Sequence, residues 1–247
     1  MKKIIITNKR NQGLSAVLHE SVNQTDKILI FTHSFKSDKD TDYVAVDFAK
    51  TVCAEGYAFL RFDFWGSGES DGDFEESSVN TQIDDLKDVI EYIKTQGYSN
   101  ICLVGLSLGT TISIMAYDDA IRCMILWSPS FHLISRHERY RDEINEKGYV
   151  IEENGLTGKE FKIGKMMWQD FKDVNPVLSL NKIKCPVLTI VGSEDDSIEL
   201  DKTRKYLDMI LAEQELVVID GGGHDFLIEE AKKELLQISS NFIKKYL

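Results

Sequence analysis

The chain has 247 residues and a formal net charge of −12, because 41 Asp and Glu residues outnumber 29 Lys and Arg residues. This charge repels phosphate backbones and anionic lipid head groups, so we expect neither nucleic acid nor a membrane as a partner. The apolar stretch near the N-terminus ends at Thr7, which is too short for a secretory signal, and no apolar run approaches the about 20 residues of a membrane span. A chain of this length can bury its apolar residues in one domain.

The cysteines are scattered along the chain without a Cys-x-x-Cys pair. They are Cys53, Cys102, Cys123 and Cys185. Their spacing does not suit a metal site. Three of them border or lie within apolar runs, which is typical of small core residues in a reducing compartment. We therefore expect a cytoplasmic protein with no metal and no other cofactor.

The secondary-structure pattern changes after the first thirty residues. The segments KKIIIT, LSAVLHE and KILIFT are predicted strands, separated by the turn residues NKRNQG and by a polar loop. Beyond them, helical patterns alternate with short apolar strands. The alternation comprises a helix in TDYVAVDFAKTVCAEG, the strand AFLRFD, a helix over 81–97, the strand ICLV, a helix over 109–119, the strand CMILW and, after residues 128–178, the strand PVLTIV, a helix near 197–212, the strand ELVVID and a helix over 227–246.

Short, wholly apolar strands between amphipathic helices indicate a mostly parallel sheet with helices on both faces. A (β/α)₈ barrel has a similar length, but it would alternate from its first strand. The three opening strands instead predict an open α/β sheet with an antiparallel N-terminal edge. We expect residues 1–127 and 179–247 to form this core as a single domain.

Residues 128–178 interrupt the alternation and are expected to form an inserted lid over a site. The segment GYVIEENGLTGKEFKI predicts two short strands, and KMMWQDF predicts a helix. An extra packing layer without ligand contact is the alternative. His132 and His137 are expected at the surface or hinge of the lid. The apolar and aromatic residues of the segment are Phe131, Tyr140, Tyr149, Phe161, Met166, Met167, Trp168 and Phe171.

A serine lies between two glycines directly after a predicted strand, in the sequence GLSLG that places Ser107 between Gly105 and Gly109. A sharp strand-to-helix turn of this kind strains the serine backbone and leaves no space for a Cβ at either flank. It exposes the hydroxyl and aims the next backbone N–H at an incoming carbonyl group. A glycine-rich turn that only packs is the alternative reading of the motif alone.

A base and an acid for this serine follow two later strands. His224 lies in the loop GGGHDF, and Asp195 and Asp196 follow the strand VLTIVG. A serine nucleophile needs an imidazole base, and the imidazole needs a carboxylate that fixes its tautomer. Because the carboxyl ends of parallel strands meet at one edge of a sheet, we expect these side chains to converge there. Either aspartate is open as the acid from the spacing alone.

The motifs together resemble the α/β-hydrolase family, and most closely its small bacterial cinnamoyl and feruloyl esterases. The resemblance covers nearly the whole chain. It rests on FTHSF as the oxyanion loop, FDFWGSGESDG as the glycine-rich segment after the next strand, GLSLG as the nucleophile elbow, and GSEDDSI and GGGHDF as the acid and histidine loops.

The resemblance implies catalytic roles for Ser107 as nucleophile, His224 as general base and acid, and Asp195 as orienting carboxylate, with Asp196 as the alternative acid. It also implies an oxyanion hole formed by the backbone N–H groups of Phe35 and Leu108. One departure weakens the assignment of Phe35. The family has glycine after the loop histidine, where this chain has Ser34, and a positive φ there would strain a serine. For His33 we expect a hydrogen-bonding role in shaping the loop.

These residues predict a serine hydrolase that cleaves carboxylic esters of modest size through an acyl-enzyme. The aromatic residues of the insertion favour an apolar or aromatic acyl group, as in a feruloyl ester. Acyl thioesters and lipid-like esters are the nearest alternatives, and a peptidase or a non-catalytic binding protein is more remote. Activity is expected to fall as pH drops through the histidine pKa, near ~6.5 if unperturbed. The sequence leaves a homodimer open.

Overall fold

The computed structural model describes residues 1–41 and 43–247. The strands are β1 (Lys2–Thr7), β2 (Gly13–His19), β3 (Lys27–Thr32), β4 (Ala58–Phe62), β5 (Asn100–Leu106), β6 (Ile121–Trp127), β7 (Tyr149–Glu153), β8 (Glu160–Gly164), β9 (Val187–Gly192) and β10 (Gln214–Ile219). The α-helices are α1 (Tyr43–Ala54), α2 (Val79–Thr95), α3 (Leu108–Met115), α4 (Ile134–Lys147), α5 (Lys165–Asp173), α6 (Leu200–Leu207) and α7 (Glu229–Tyr246). None of the helices within these ranges combines the length and apolar character that crossing a membrane requires.

Eight of the strands form one sheet in the order β1-β2-β4-β3-β5-β6-β9-β10. Strand β2 pairs antiparallel with both β1 and β4, and every other neighbouring pair in this sheet is parallel. The prediction of a mostly parallel sheet with an antiparallel N-terminal edge is therefore confirmed. The parallel arrangement brings the carboxyl ends of β3, β5, β6, β9 and β10 to the same edge.

Helices cover both faces of the sheet, because successive residues of each central strand point to opposite faces. On β3, Ile28 and Ile30 belong to the core that includes buried residues of α2 and α3. Leu29 and Phe31 belong to the other core, which α1 and α7 complete. All four side chains are fully buried. This two-sided burial explains why the strands read as continuous apolar runs and not as alternating patterns.

Residues 128–178 contain α4, the antiparallel hairpin β7–β8 and α5. The hairpin and α5 agree with the sequence prediction, whereas α4 was not predicted. Helix α4 is mostly charged, and its buried residues are His137, Tyr140 and Ile144, at the spacing i, i+3, i+7. It ends at Gly148, which has φ of 84°. That the segment is a separate cap subdomain stays a prediction.

Candidate active site

Ser107 lies between the last residue of β5 and the first residue of α3, with φ of 53° and ψ of −117°. A positive φ is costly for a residue with a Cβ, and such strain occurs mainly where function requires it. The backbone is held in place by neighbouring elements, since the Ser107 N–H donates to the carbonyl of Trp127 at the end of β6, over 3.0 Å. The side chain of Ser107 is therefore fixed above the carboxyl edge of the sheet.

The flanking glycines permit a close approach between the turn and its neighbours. A Cβ on Gly109 would overlap the carbonyl oxygen of Thr32 and lie 2.7 Å from its carbonyl carbon, at the end of β3. A Cβ on Gly105 would lie 2.7 Å from backbone atoms of Gly109 and Thr110. Real Cβ atoms do not approach backbone so closely, so both positions need glycine for steric reasons.

Asp195 and His224 form a hydrogen-bonded pair in which the Nδ1 of His224 lies 2.8 Å from Oδ2 of Asp195. The Asp195 side chain has no exposed surface, whereas Asp196 is exposed. The structure thus brings Asp195, and not Asp196, to the imidazole. Because Nδ1 is engaged by the carboxylate, Nε2 is the ring nitrogen left for a reacting group.

Ser197 hydrogen-bonds with both residues of this pair, a contact that the sequence analysis missed. Its hydroxyl donates to Oδ1 of Asp195 over 2.6 Å and lies 2.9 Å from Nδ1 of His224. Its backbone N–H also donates to Oδ1 of Asp195. The sequence signal would have been the Asx turn that an aspartate forms with the residue two positions on. Ser197 occupies the second carboxylate oxygen and so orients Asp195.

The acid loop and the histidine loop touch at two glycines. A Cβ on Gly192, the last residue of β9, would overlap the carbonyl oxygen of Gly222 and lie 3.0 Å from its Cα. The Glu194 N–H donates to the same carbonyl over 2.8 Å. A second tie comes from Ser128, whose buried hydroxyl donates to the backbone carbonyl of His224 over 2.8 Å. These contacts hold the imidazole over the sheet edge.

The pKa values of the pair reflect burial and mutual interaction. Burial raises the pKa of Asp195, but hydrogen bonds from His224 and Ser197 outweigh it and hold this pKa below its usual range. Burial lowers the pKa of His224, but its hydrogen bond with Asp195, together with the charges of Asp195 and Asp225, raises it above the ordinary value of 6.5. The imidazole therefore becomes neutral only at a pH above that ordinary value.

Ser107 and His224 line the same two cavities, of about 490 and 480 Å³. Within the described residues, no hydrogen bond joins the Ser107 hydroxyl to the ring. Hydrogen bonds between a nucleophile and its base are often long before substrate binds. The first cavity is also lined by Phe131, Ile134 and Tyr206, and the second lies toward the loop after β3 and the β7–β8 hairpin.

The loop after β3 places Phe35 on the second cavity, while Leu108 begins helix α3 next to Ser107. As the first helical residue, Leu108 has a backbone N–H without an intrahelical partner. Among the described non-glycine residues, Ser34 does not have a positive φ; in this loop the positive value of 57° falls on Lys36. The strain that serine would suffer at a positive φ is therefore not present at Ser34.

Buried polar residues support this loop from below. His33 is buried, its Nδ1 lies 2.9 Å from the carbonyl oxygen of Ser34, and its Nε2 accepts from the backbone N–H of Phe64. Lys39 is also buried and forms a 2.7 Å ion pair with Asp63, which in addition accepts from the Lys39 backbone N–H. The contacts of His33 are of the loop-shaping kind that the sequence suggested.

The other two predicted histidines differ from each other. His132 is exposed, lines the first cavity and hydrogen-bonds through Nε2 with the hydroxyl of Tyr206. The surface prediction for His137 is wrong, because this residue is buried and its ring stacks on Trp168 at 4.3 Å. Its place on the inner face of α4 explains the difference. Among residues 1–41 and 43–247, no group of three His, Cys, Asp or Glu side chains could hold a metal ion.

Comparisons with known proteins match both the N-terminal half and the whole fold. The sequence pattern of the family described as "Serine aminopeptidase, S33" (Hydrolase_4) matches residues 24–146, just under half of the chain. That match includes Ser107 and ends before Asp195 and His224. An uncharacterized 31.7 kDa protein of the traX-finO intergenic region of Escherichia coli is 22% identical over 232 residues, 77% of this chain and 80% of that protein.

Two proteins with solved structures are similar over nearly the full length. Est1E from Butyrivibrio proteoclasticus, with ferulic acid bound, has a TM-score of 0.84 and 20% identity, covering 98% of each chain. Alpha/beta hydrolase domain-containing protein 10 from mouse has a TM-score of 0.80 and 21% identity, covering 99% of each chain. The mouse protein described as palmitoyl-protein thioesterase ABHD10, mitochondrial, is 25% identical over 203 residues, 78% of this chain and 66% of that protein.

Proposed function

We propose that this chain, which has the α/β-hydrolase fold, is a serine hydrolase that cleaves ester bonds of small molecules through an acyl-enzyme. The observation that carries the proposal is the geometry around His224. Its Nδ1 is held by buried Asp195 at 2.8 Å, and the ring shares two cavities with a serine held at a positive φ before a helix. A chain order of serine, acid and histidine is that of the α/β-hydrolase arrangement.

In the proposed reaction, the Ser107 hydroxyl attacks the ester carbonyl while Nε2 of His224 takes its proton. The backbone N–H groups of Leu108 and Phe35 stabilise the oxyanion of the tetrahedral intermediate. His224 then gives the proton to the departing alcohol, and Ser107 remains acylated. Water attacks the acyl group by the same steps, with His224 as base, and releases the acid and the free serine. Asp195 keeps the imidazole in the required tautomer throughout.

The substrate class is supported by the first cavity and by the similar proteins. Phe131, Ile134, Ile198 and Tyr206 give this cavity an apolar part, which suits an apolar or aromatic acyl group. Est1E binds ferulic acid in its solved structure, and ABHD10 is described as a thioesterase. Acyl thioesters are therefore the second candidate, because the same attack and proton transfers cleave a thioester.

Labelling with a fluorophosphonate probe tests the activated serine directly. We expect wild-type protein to be labelled at neutral to alkaline pH and Ser107→Ala to be unlabelled. Ser135→Ala is the matched control, because Ser135 is another serine that lines the first cavity, on the exposed surface. It should be labelled as well as wild type. Wild-type protein that resists the probe as completely as Ser107→Ala would refute the proposal and favour a binding protein.

A rate panel then separates the substrate classes. It compares hydroxycinnamate esters, short and long aliphatic esters, acyl thioesters and aminoacyl anilides at equal concentration. A preference for anilides over every ester and thioester would replace the esterase proposal by a peptidase, the activity in the description of the matching family.

A further inference from the structure

Arg136 of helix α4 lies on both cavities of the candidate site. Four residues are common to the two cavity linings: Ser107, His224, Arg136 and Arg139. Two of the four are therefore the proposed nucleophile and base, and the other two are arginines. Any ester bound with its carbonyl at Ser107 extends into space that these guanidinium groups border.

The two arginines differ in how their charges are compensated. The Nη2 of Arg139 lies 2.8 Å from Oε1 of Glu152, and Lys36 lies 2.8 Å from Oε2 of the same carboxylate. Within the described part of the chain, Arg136 forms no ion pair with a carboxylate. Its guanidinium donates a long hydrogen bond from Nη1 to the neutral hydroxyl of Ser130, over 3.4 Å. The carboxylate of Glu152 is thus in direct contact with two cations, Arg139 and Lys36, whereas its charge acts on Arg136 only from beyond ion-pair distance.

Aromatic rings hold the Arg136 guanidinium at its place. Its Cζ lies 5.4 Å from the centre of the Phe35 ring and 6.0 Å from that of Phe171. Such contacts fix the position of an arginine without neutralising it. Burial also lowers the pKa of Arg136, which means that its charged form is destabilised where it lies. A half-buried and positioned guanidinium with no carboxylate in contact favours the binding of an anion.

The other acidic side chains that line the cavities, Asp225 and Glu199, do not form an ion pair with Arg136 either. Asp225 lines the second cavity, but the charges that act on its carboxyl are those of His224 and Asp195, and burial raises its pKa. Glu199 lines the first cavity and forms a 2.7 Å ion pair with Lys202. Neither carboxylate pairs with Arg136.

We propose that the substrates of this site carry a carboxylate in addition to the ester bond, and that Arg136 binds this carboxylate. The inference rests on the proposed function and specifies its substrate class. The net charge of −12 repels anions from the protein as a whole. A guanidinium without a carboxylate in contact, in the cavities that Ser107 lines, provides a local attraction that opposes this repulsion. Arg136 borders both cavities, so the carboxylate lies either on the acyl or on the alcohol part of the ester.

Matched ester pairs test the preference and locate the carboxylate. In the first pair, cleavage of the acetyl ester is compared between 4-acetoxybenzoate and its methyl ester, and the charge of the anionic member lies on the alcohol part. In the second pair, cleavage of the phenyl ester is compared between monophenyl adipate and methyl phenyl adipate, and the charge of the anionic member lies on the acyl part. We expect the anionic member of one pair to have a kcat/KM about 10- to 100-fold higher, as a charge-assisted hydrogen bond provides.

Variants assign the preference to one guanidinium. Arg136→Gln should remove the ratio between the anionic and neutral esters, and Arg136→Lys should restore part of it. Arg139→Gln is the matched control, because Arg139 lines the same cavities but is paired with Glu152 and its side chain is 71% exposed. This variant should change the ratio by less than about threefold.

Binding of uncleaved analogues provides a readout that does not depend on turnover. Calorimetry compares 4-acetamidobenzoate and adipic acid monoanilide with the corresponding neutral primary amides, on wild type and Arg136→Gln. Equal binding and equal hydrolysis of the charged and neutral members of both pairs would overturn the anion proposal and leave the serine hydrolase intact. Equal loss of the preference in Arg139→Gln would also overturn it. Charge-selective binding without any ester cleavage would retain the role of Arg136 and refute the proposed function.

Discussion

Replacing Asp195 by asparagine tests the acid of the proposed triad and separates it from Asp196. The asparagine has the size of the aspartate, but it lacks the charge that acts on His224, and its amide can present N–H to Nδ1 and stabilise the wrong tautomer. Asp195 has no exposed side-chain surface and accepts three hydrogen bonds, from the ring, from the Ser197 hydroxyl and from the Ser197 backbone. The loss of a buried tautomer-fixing carboxylate lowers kcat by about 10³- to 10⁴-fold.

The same substitution predicts a direction for the pH profile. In the wild type, burial lowers the pKa of His224, and the hydrogen bond and charge of Asp195 reverse this effect and raise the pKa above 6.5. The base is neutral above its pKa, so wild-type activity is lost as pH falls through a value higher than 6.5. Without the Asp195 charge, burial acts against less opposition and the pKa falls. The acid limb of the residual activity should therefore move to lower pH.

The assay is kcat/KM for one activated ester between about pH 5 and 9, in a buffer of constant ionic strength. Asp196→Asn is the matched control: it lies one residue away, is exposed, and removes the same formal charge. It should retain activity within about threefold of wild type and leave the acid limb unmoved. If Asp196→Asn were the more damaging change, or if the acid limb of Asp195→Asn moved to higher pH, the assignment of Asp195 would be refuted.

Two further substitutions, each with a matched control, test how the site is held together. Gly109→Ala should lower the free energy of unfolding by about 3 kcal/mol, and the melting temperature by about 6–12 °C, because the added Cβ would overlap the Thr32 carbonyl. Gly223→Ala is the control, since its Cβ would meet nothing within 4 Å, and the same denaturation assay should give a free energy of unfolding within about 0.5 kcal/mol of wild type. Ser128→Ala should lower kcat about 10- to 100-fold with little change in KM, because the His224 carbonyl loses its hydrogen bond. Ser128→Gly fits the positive φ of 45° and also lacks the hydroxyl, so an active Ser128→Gly would contradict this reasoning.

The core was predictable from sequence because burial on both faces leaves an unmistakable apolar run. The segment KILIFT coincides with β3, which is buried on both faces. The segment KKIIIT coincides with β1 for another reason, since this edge strand is mostly exposed and the turn residues after it mark its end. Helix ends were less predictable: the helix proposed near 197–212 spans only Leu200–Leu207. Helix α4 was not predicted, because charged residues surround its three buried ones and one of these three is a histidine, which does not indicate an apolar face. The helix instead depends on its packing against α5, where the His137 ring stacks on Trp168.

The parallel strands made it possible to predict that Ser107, Asp195 and His224 lie at one edge of the sheet. The roles of the supporting hydroxyl groups could not be predicted in this way. Ser197 and Ser128 act through hydrogen bonds that exist only once the loops have closed. No spacing rule connects Ser128 to a residue 96 positions later. The role of the aromatic residues in the insertion also depends on packing that the sequence does not specify.

Those aromatic residues were expected to line the pocket, and several of them instead form the base of the inserted segment. Phe171 contacts Phe35 with ring centres 5.4 Å apart, and Phe161 contacts Phe74 at 5.0 Å. Phe161 and Phe171 are buried. The segment packs on the core and also contributes Phe131, Arg136 and other residues to the cavities. That it acts as a lid stays a prediction.

The end of β6 connects the three loops of the candidate site. Trp127 accepts the backbone N–H of Ser107, and the hydroxyl of Ser128 donates to the carbonyl of His224. The backbone N–H of Ser128 donates to Ile190 on β9, the strand that leads to Asp195. The inserted segment begins at this same residue, so its first residue is fixed by the core. Changes farther along the insertion can therefore alter the cavity walls, while the hydrogen bonds at the end of β6 that hold the loops of Ser107, Asp195 and His224 are retained.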